Sequence, residues 1–125
     1  MIRIVGIGCR ANASETSLRE AIEMALVSAP GPLEILATTR EKSESKVVKR
    51  IAKHFRLTLT AVESKDLRGI ETITRSERIM ARFGTGSLSE AAALFAAGYG
   101  GSLRCARQIA SDGMATAAIA EGDGL

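Results

Sequence analysis

The chain has 125 residues and a formal net charge of +3, from 17 basic and 14 acidic side chains. With 46% hydrophobic and 25% charged residues it reads as one globular domain, residues 1–125, whose core is large enough to fold alone rather than a disordered segment. Three phenylalanines, one tyrosine and no tryptophan argue against recognition of single-stranded nucleic acid by base stacking.

Ile2, Ile4, Val5 and Ile7 mark a buried first strand that runs into Gly8-Cys9-Arg10 and then a helix start. Unpaired first-turn N–H groups and the helix dipole make such a junction attractive to an anion, and Arg10 adds a full charge there. A thiol at this place can ionise early, but Cys9 with no base nearby in sequence reads better as a small buried hydrophobe. Cys9 and Cys105 are too few for a disulfide framework or a zinc site, and His54 stands alone. No cofactor is expected.

The first helix should begin at Ser14 or Ser17, the latter having capping-box spacing to Glu20. Leu18, Ile22, Ala25 and Leu26 share its inner face, and Pro30-Gly31-Pro32 ends it. A second strand, Leu33 to Thr38, is followed by a helix opening at Thr39-Arg40-Glu41-Lys42 and carrying Val47, Val48, Ile51 and Phe55 inward. The basic run from Lys46 to Lys53 then lies on its outer, solvated face rather than forming a nucleic-acid patch. Leu57 to Val62 alternates with β-branched residues as a third strand. This β-α-β-α-β order predicts a parallel sheet with helices on its faces.

Ser64 to Arg75 is irregular, with one helical turn at Ser64 to Leu67, and Ser76 to Phe83 predicts a short helix. Gly84-Thr85-Gly86 breaks it. Ser87-Leu88-Ser89-Glu90 reads as a second capping box, opening an alanine-rich helix that Gly98 ends as a left-handed cap. Leu103 to Ile109 and Met114 to Ala120, joined across Asp112-Gly113, predict an antiparallel pair. Glu121 to Leu125 reads as a frayed tail. The expected fold is α/β, around a mixed, mostly parallel sheet of about five strands. The longest apolar run, Ala91 to Ala97, is too short to span a bilayer, and the N-terminus has no secretory pattern. A cytoplasmic protein without membrane contact is expected.

Gly6-Ile7-Gly8-Cys9-Arg10-Ala11 loosely fits a dinucleotide fingerprint. Gly6 lies within the strand, however, and the second strand ends in Thr38-Thr39-Arg40 with no acid for a ribose hydroxyl. No lysine follows a glycine loop as a phosphate-binding loop requires. Ligands of open α/β sheets sit beyond the carboxyl ends of the strands. That places Gly8, Cys9, Arg10, Thr38, Thr39 and Lys42 together, with the second small-residue junction, Gly84, Thr85, Gly86 and Ser87, alongside in one cleft. Two helix N-termini with an arginine and a lysine suit a multiply anionic ligand. Glu44 and Glu90 are the only acid or base candidates, and the Glu90 carboxylate is better explained as a cap.

Several blocks in this order resemble the cobalamin-biosynthesis CobE/CbiG C-terminal domain family. They are Val5-Gly6-Ile7-Gly8-Cys9-Arg10; Ala37-Thr38 with Lys42 and Glu44; Gly84-Thr85-Gly86-Ser87-Leu88-Ser89-Glu90-Ala91-Ala92-Ala93-Leu94; and Ala115 to Ala120. The resemblance covers essentially the whole chain and looks like the stand-alone CobE form. It implies a three-layer α/β/α sandwich that works in corrin-ring construction on carboxylate-rich, precorrin-type tetrapyrroles, as a binding, accessory or carrier protein. It also implies an alternative, a hydrolase that opens the ring lactone of a precorrin-5A-like intermediate. A third possibility is a module that docks on other cobalamin-pathway enzymes.

Overall fold

The computed structural model describes all 125 residues. The apolar run after Met1 forms β1 (Ile2–Cys9), whose central residues are buried on both faces. Residues of alternate parity face opposite layers, so Val5 and Ile7 pack on one side while Ile4 packs on the other. After α1 (Glu15–Ser28) come β2 (Ile35–Thr39), α2 (Arg40–Ser43), α3 (Lys46–His54) and β3 (Thr58–Val62). Short helices α4 (Ser64–Leu67) and α5 (Glu77–Phe83) lead to α6 (Leu88–Ala97), and β4 (Ser102–Ile109) and β5 (Ala115–Gly122) close the chain.

The five strands form one sheet in the order β3-β2-β1-β5-β4. β2 pairs parallel with both β1 and β3, whereas β5 runs antiparallel to both β1 and β4. The sheet is therefore mixed, with β1 where parallel pairing meets antiparallel. On one face, α1 and α3 bury Leu18, Ile22, Val48 and Ile51 against Val5, Ile7 and Ile119. On the other, α6 lays Ala91, Ala92, Ala93, Ala96 and Ala97 against Ile4, Ala37 and Ala120, with α4 and α5 outside it. The result is the three-layer α/β/α arrangement.

Three details differ from the sequence-based expectations, and a fourth is decided between two alternatives. The helix expected from Thr39 to Phe55 is two helices, because the Ser45 hydroxyl accepts from the Val48 N–H and starts α3 afresh. Of the two expected starts of α1, Ser14 is the one used, its hydroxyl accepting from the Ser17 N–H. Ser17 donates its hydroxyl hydrogen bond to Asp112, and Glu20 accepts from the Ser111 N–H and hydroxyl, both at 3.0 Å, so the α1 N-terminus is tied to the β4–β5 turn. The chain end is not frayed: Glu121 and Gly122 complete β5, and Gly124 bridges to Gly98. Gly98 has positive φ (70°) with ψ −142°, outside the left-handed helical region, and a Cβ there would meet the Gly124 carbonyl oxygen at 2.2 Å. Its bareness permits that bridge.

Candidate ligand-binding cleft

The carboxyl end of β1 is fixed before any ligand is considered. The Arg10 N–H donates to the Met114 carbonyl at 2.9 Å, which anchors the Gly8-Cys9-Arg10 turn to the β4–β5 hairpin. Thr39 ends β2 and caps α2 by accepting from the Lys42 N–H at 3.3 Å. This single turn of helix places the Lys42 side chain against β1. Only 16% of that side chain is exposed, yet its nearest acidic oxygen, Glu41 Oε1, is 3.9 Å away.

Between these segments, α5 and the N-terminus of α6 lies a cleft of about 490 Å³. Its apolar lining comes from Ile79 and Phe83 of α5, Leu88 of α6, and Met114 and Ala115 of the hairpin. Its polar edge carries Arg10, Lys42, Arg78, Arg82 and Arg107 with one carboxylate, Glu41. Arg10, Arg78 and Arg107 enter no salt bridge, and Arg82 approaches Glu41 only to 3.9 Å. The Arg82 guanidinium lies 5.0 Å from the centre of the Phe83 ring, which holds it at the cleft edge. The lining thus mixes apolar side chains with five cations, of which Arg10, Arg78 and Arg107 pair with no carboxylate while Lys42 and Arg82 share Glu41. A smaller hollow of about 240 Å³ opens beyond it, sharing Cys9, Arg10 and Lys42.

Gly8, Cys9, Arg10, Thr39 and Lys42 thus come together on one wall. Thr38 does not: it is fully buried and donates to the Ile7 carbonyl at 2.9 Å, knitting β2 to β1. Nor do Gly84, Thr85, Gly86 and Ser87 face the cleft, which corrects the expectation of one shared site; only their neighbours Phe83 and Leu88 do. The Thr85 hydroxyl donates to the Ile70 carbonyl at 2.6 Å, and Ser87 caps α6 through the Glu90 N–H. Gly84 and Gly86 instead border a separate hollow beside residues 69–75.

Neither candidate acid faces the cleft. Glu44 is exposed at the end of α2, outside the lining. Glu90 is fully buried, and its side chain does not close a capping box. It accepts from the Ile73 and Thr74 N–H groups at 2.7 and 3.2 Å, from the Thr74 hydroxyl at 2.6 Å and from the Arg107 N–H at 2.9 Å. Burial raises the Cys9 thiol above its ordinary value, with Lys42 opposing, so the thiol is held protonated. No three His, Cys, Asp or Glu side chains converge as metal ligands, and no helix is long and apolar enough to cross a membrane.

The sequence reading missed Glu41, Arg78, Arg82 and Arg107. Arg78 and Arg82 are four apart on α5, a spacing that puts two cations on one helix face and could have marked it. Arg107 carries no local signal, because it reaches the cleft only through a register irregularity of β4 between Cys105 and Gln108.

Residues 3–120 match the family model described as cobalamin synthesis G C-terminus. The chain belongs to this family. It is accordingly a protein of cobalamin biosynthesis. Among solved structures it is similar to CobE, a protein from the cobalamin (vitamin B12) biosynthetic pathway, at 27% identity and a TM-score of 0.83, over 95% of this chain and 89% of that one. It is also similar to the cobalamin biosynthesis protein chiG from Agrobacterium tumefaciens, at 29% identity and a TM-score of 0.73, over 98% and 99%. A protein G homolog from Sulfolobus solfataricus shares the fold at 22% identity and a TM-score of 0.72; the chain covers 36% of its length. No curated protein matches in sequence. The match to the cobalamin synthesis G C-terminus family spans every segment that lines the cleft.

Proposed function

We propose that this cleft binds a polycarboxylate tetrapyrrole, a precorrin-type intermediate, and that the protein serves as an accessory or carrier in corrin construction. The observation that carries this is the charge of the cleft: five cationic side chains against one carboxylate, around an apolar floor. A tetrapyrrole macrocycle presents apolar faces and a periphery of acetate and propionate groups. Its faces would rest on Ile79, Phe83 and Leu88, and its carboxylates would take charge-assisted hydrogen bonds from Arg10, Lys42 and the arginines opposite. Membership of a cobalamin-biosynthesis family supports that ligand class over other polyanions. Glu44 and Glu90, the candidates for lactone hydrolysis, lie outside the cleft, and its one carboxylate, Glu41, has 70% of its side chain exposed, which favours binding over hydrolysis by a positioned acid or base.

The test is a titration of hydrogenobyrinic acid and of NADPH against the wild type, Arg10→Ala and Lys42→Ala. Each substitution should weaken corrinoid binding about tenfold, the loss of one bond to a charged group, with NADPH showing no comparable affinity. Corrinoid affinity indifferent to both residues, or tighter binding of the dinucleotide, overturns the assignment.

A further inference from the structure

Glu90 is the only acidic side chain among the fully buried residues, and no cation neutralises it. Four donors fill its two oxygens, three from Ile73 and Thr74 and one from the Arg107 main chain. Those donors belong to the two segments that deliver cations to the far wall of the cleft. The Ile73-Thr74 segment leads directly into α5, which carries Arg78 and Arg82; the Arg107 N–H belongs to the irregular stretch of β4 whose side chain enters the cleft. The β4–β5 register slips beside this residue, and a carboxylate from α6 takes the Arg107 N–H. The Arg107 Nε is buried and has no hydrogen-bond partner within the protein. A buried donor left idle costs free energy unless something meets it.

We propose that Glu90 is a positioning residue that locks the Arg107 main chain so that its guanidinium faces the cleft, where Arg107 receives a ligand carboxylate. This deepens the tetrapyrrole assignment and rests on it. Glu90 itself never touches ligand. Glutamine would be isosteric but would turn an NH2 toward two of the four donors, so the clamp cannot survive Glu90→Gln intact.

The experiment is a double-mutant cycle read with uroporphyrin III, an octacarboxylate whose fluorescence reports binding, alongside urea unfolding of each variant. Arg107→Ala should weaken binding about tenfold, as for a lost charge-assisted bond. Glu90→Gln should weaken it by a similar factor, and the double variant should bind no more weakly than Arg107→Ala alone, because both changes remove one contact. Unfolding should show the Glu90→Gln loss in both backgrounds, which separates positioning from mere support. Thr74→Val, which removes one bond to the carboxylate and keeps the charge, should give a smaller loss of binding and serves if Glu90→Gln does not fold. Additive effects of Glu90 and Arg107 on binding, or wild-type affinity in Glu90→Gln or Thr74→Val, overturn the positioning role while Arg10→Ala still reports the cleft. Binding by none of the proteins, or binding insensitive to Arg10, Lys42 and Arg107 alike, overturns the cleft assignment as well.

Discussion

Gly6 of the central strand lies directly beneath the main chain of Ser89: a Cβ on Gly6 would stand 2.0 Å from the Ser89 carbonyl oxygen and 2.6 Å from the Ala93 nitrogen. The alanine-rich face of α6 therefore reaches the sheet backbone itself, and Gly6 serves helix packing rather than a dinucleotide turn. Backbone cannot swing aside as a side chain can. Gly6→Ala should lose at least ~2 kcal/mol of stability by overpacking, seen as a lowered urea midpoint. An unchanged midpoint would mean that α6 slides freely, and with it the Leu88 wall of the cleft.

Arg3 ties three elements at one corner. Its guanidinium donates to Glu121 at 2.9 Å and to the carbonyls of Ala29 and Gly31 beyond α1 at 2.6 and 2.9 Å. The hydrogen bond from Arg3, with the charge of Arg104 beside it, holds the Glu121 carboxyl below its ordinary value. A depressed folded-state value stabilises the fold above the unfolded-state value and stops doing so as pH falls through the folded one. The stability difference between wild type and Arg3→Met should thus be constant above about pH 5 and shrink below about pH 4. Urea midpoints measured across that range check it; a difference independent of pH would deny the link to Glu121.

Both thiols are raised by burial, Cys9 against the opposing charge of Lys42. In a Cys105→Ala background, iodoacetamide should therefore modify Cys9 more slowly than free cysteine, whose value is about 8.5. Lys42→Met should slow it further. A fast reaction at neutral pH would restore Cys9 as a nucleophile.

Glu44 is exposed at the end of α2 and forms no salt bridge. Glu44→Gln should leave uroporphyrin III affinity unchanged and stability within ~0.5 kcal/mol. A loss of either would give that carboxylate a role the geometry does not.

Local chemistry made much of this molecule legible. The run from Ile2 to Ile7, the Pro30-Gly31-Pro32 stop and the Asp112-Gly113 turn each act within a few residues, so β1, the end of α1 and the β4–β5 hairpin follow from neighbours in sequence. The break at Ser45 was hidden because the stretch from Arg40 to Lys46 holds no proline or glycine to stop a helix. Half of the cleft was legible for the same reason, since Gly8, Cys9 and Arg10 adjoin and Thr39 and Lys42 follow one strand end. The other half depends on convergence. Gly86 looks like a ligand-cradling glycine, yet a Cβ there would meet the Thr72 hydroxyl oxygen at 2.5 Å and the Thr74 carbonyl at 2.7 Å. Its close approach is to its own chain. Glu90 matched a capping box because spacing cannot tell which way a buried carboxylate turns.

The position of β1 has a consequence for how the chain assembles. Its register with β5 pairs Ile2 with Gly122, residues far apart in sequence, inside the middle of the sheet. During synthesis β1 emerges before β2 and β3 and can recruit them early, but its other edge stays open until β5 has left the ribosome. Contacts so distant in sequence must meet the entropy of closing the long loop between them before they stabilise anything, which slows folding of the domain. Until then the nascent chain offers an unpaired, apolar central strand, the kind of edge on which chains aggregate and chaperones act.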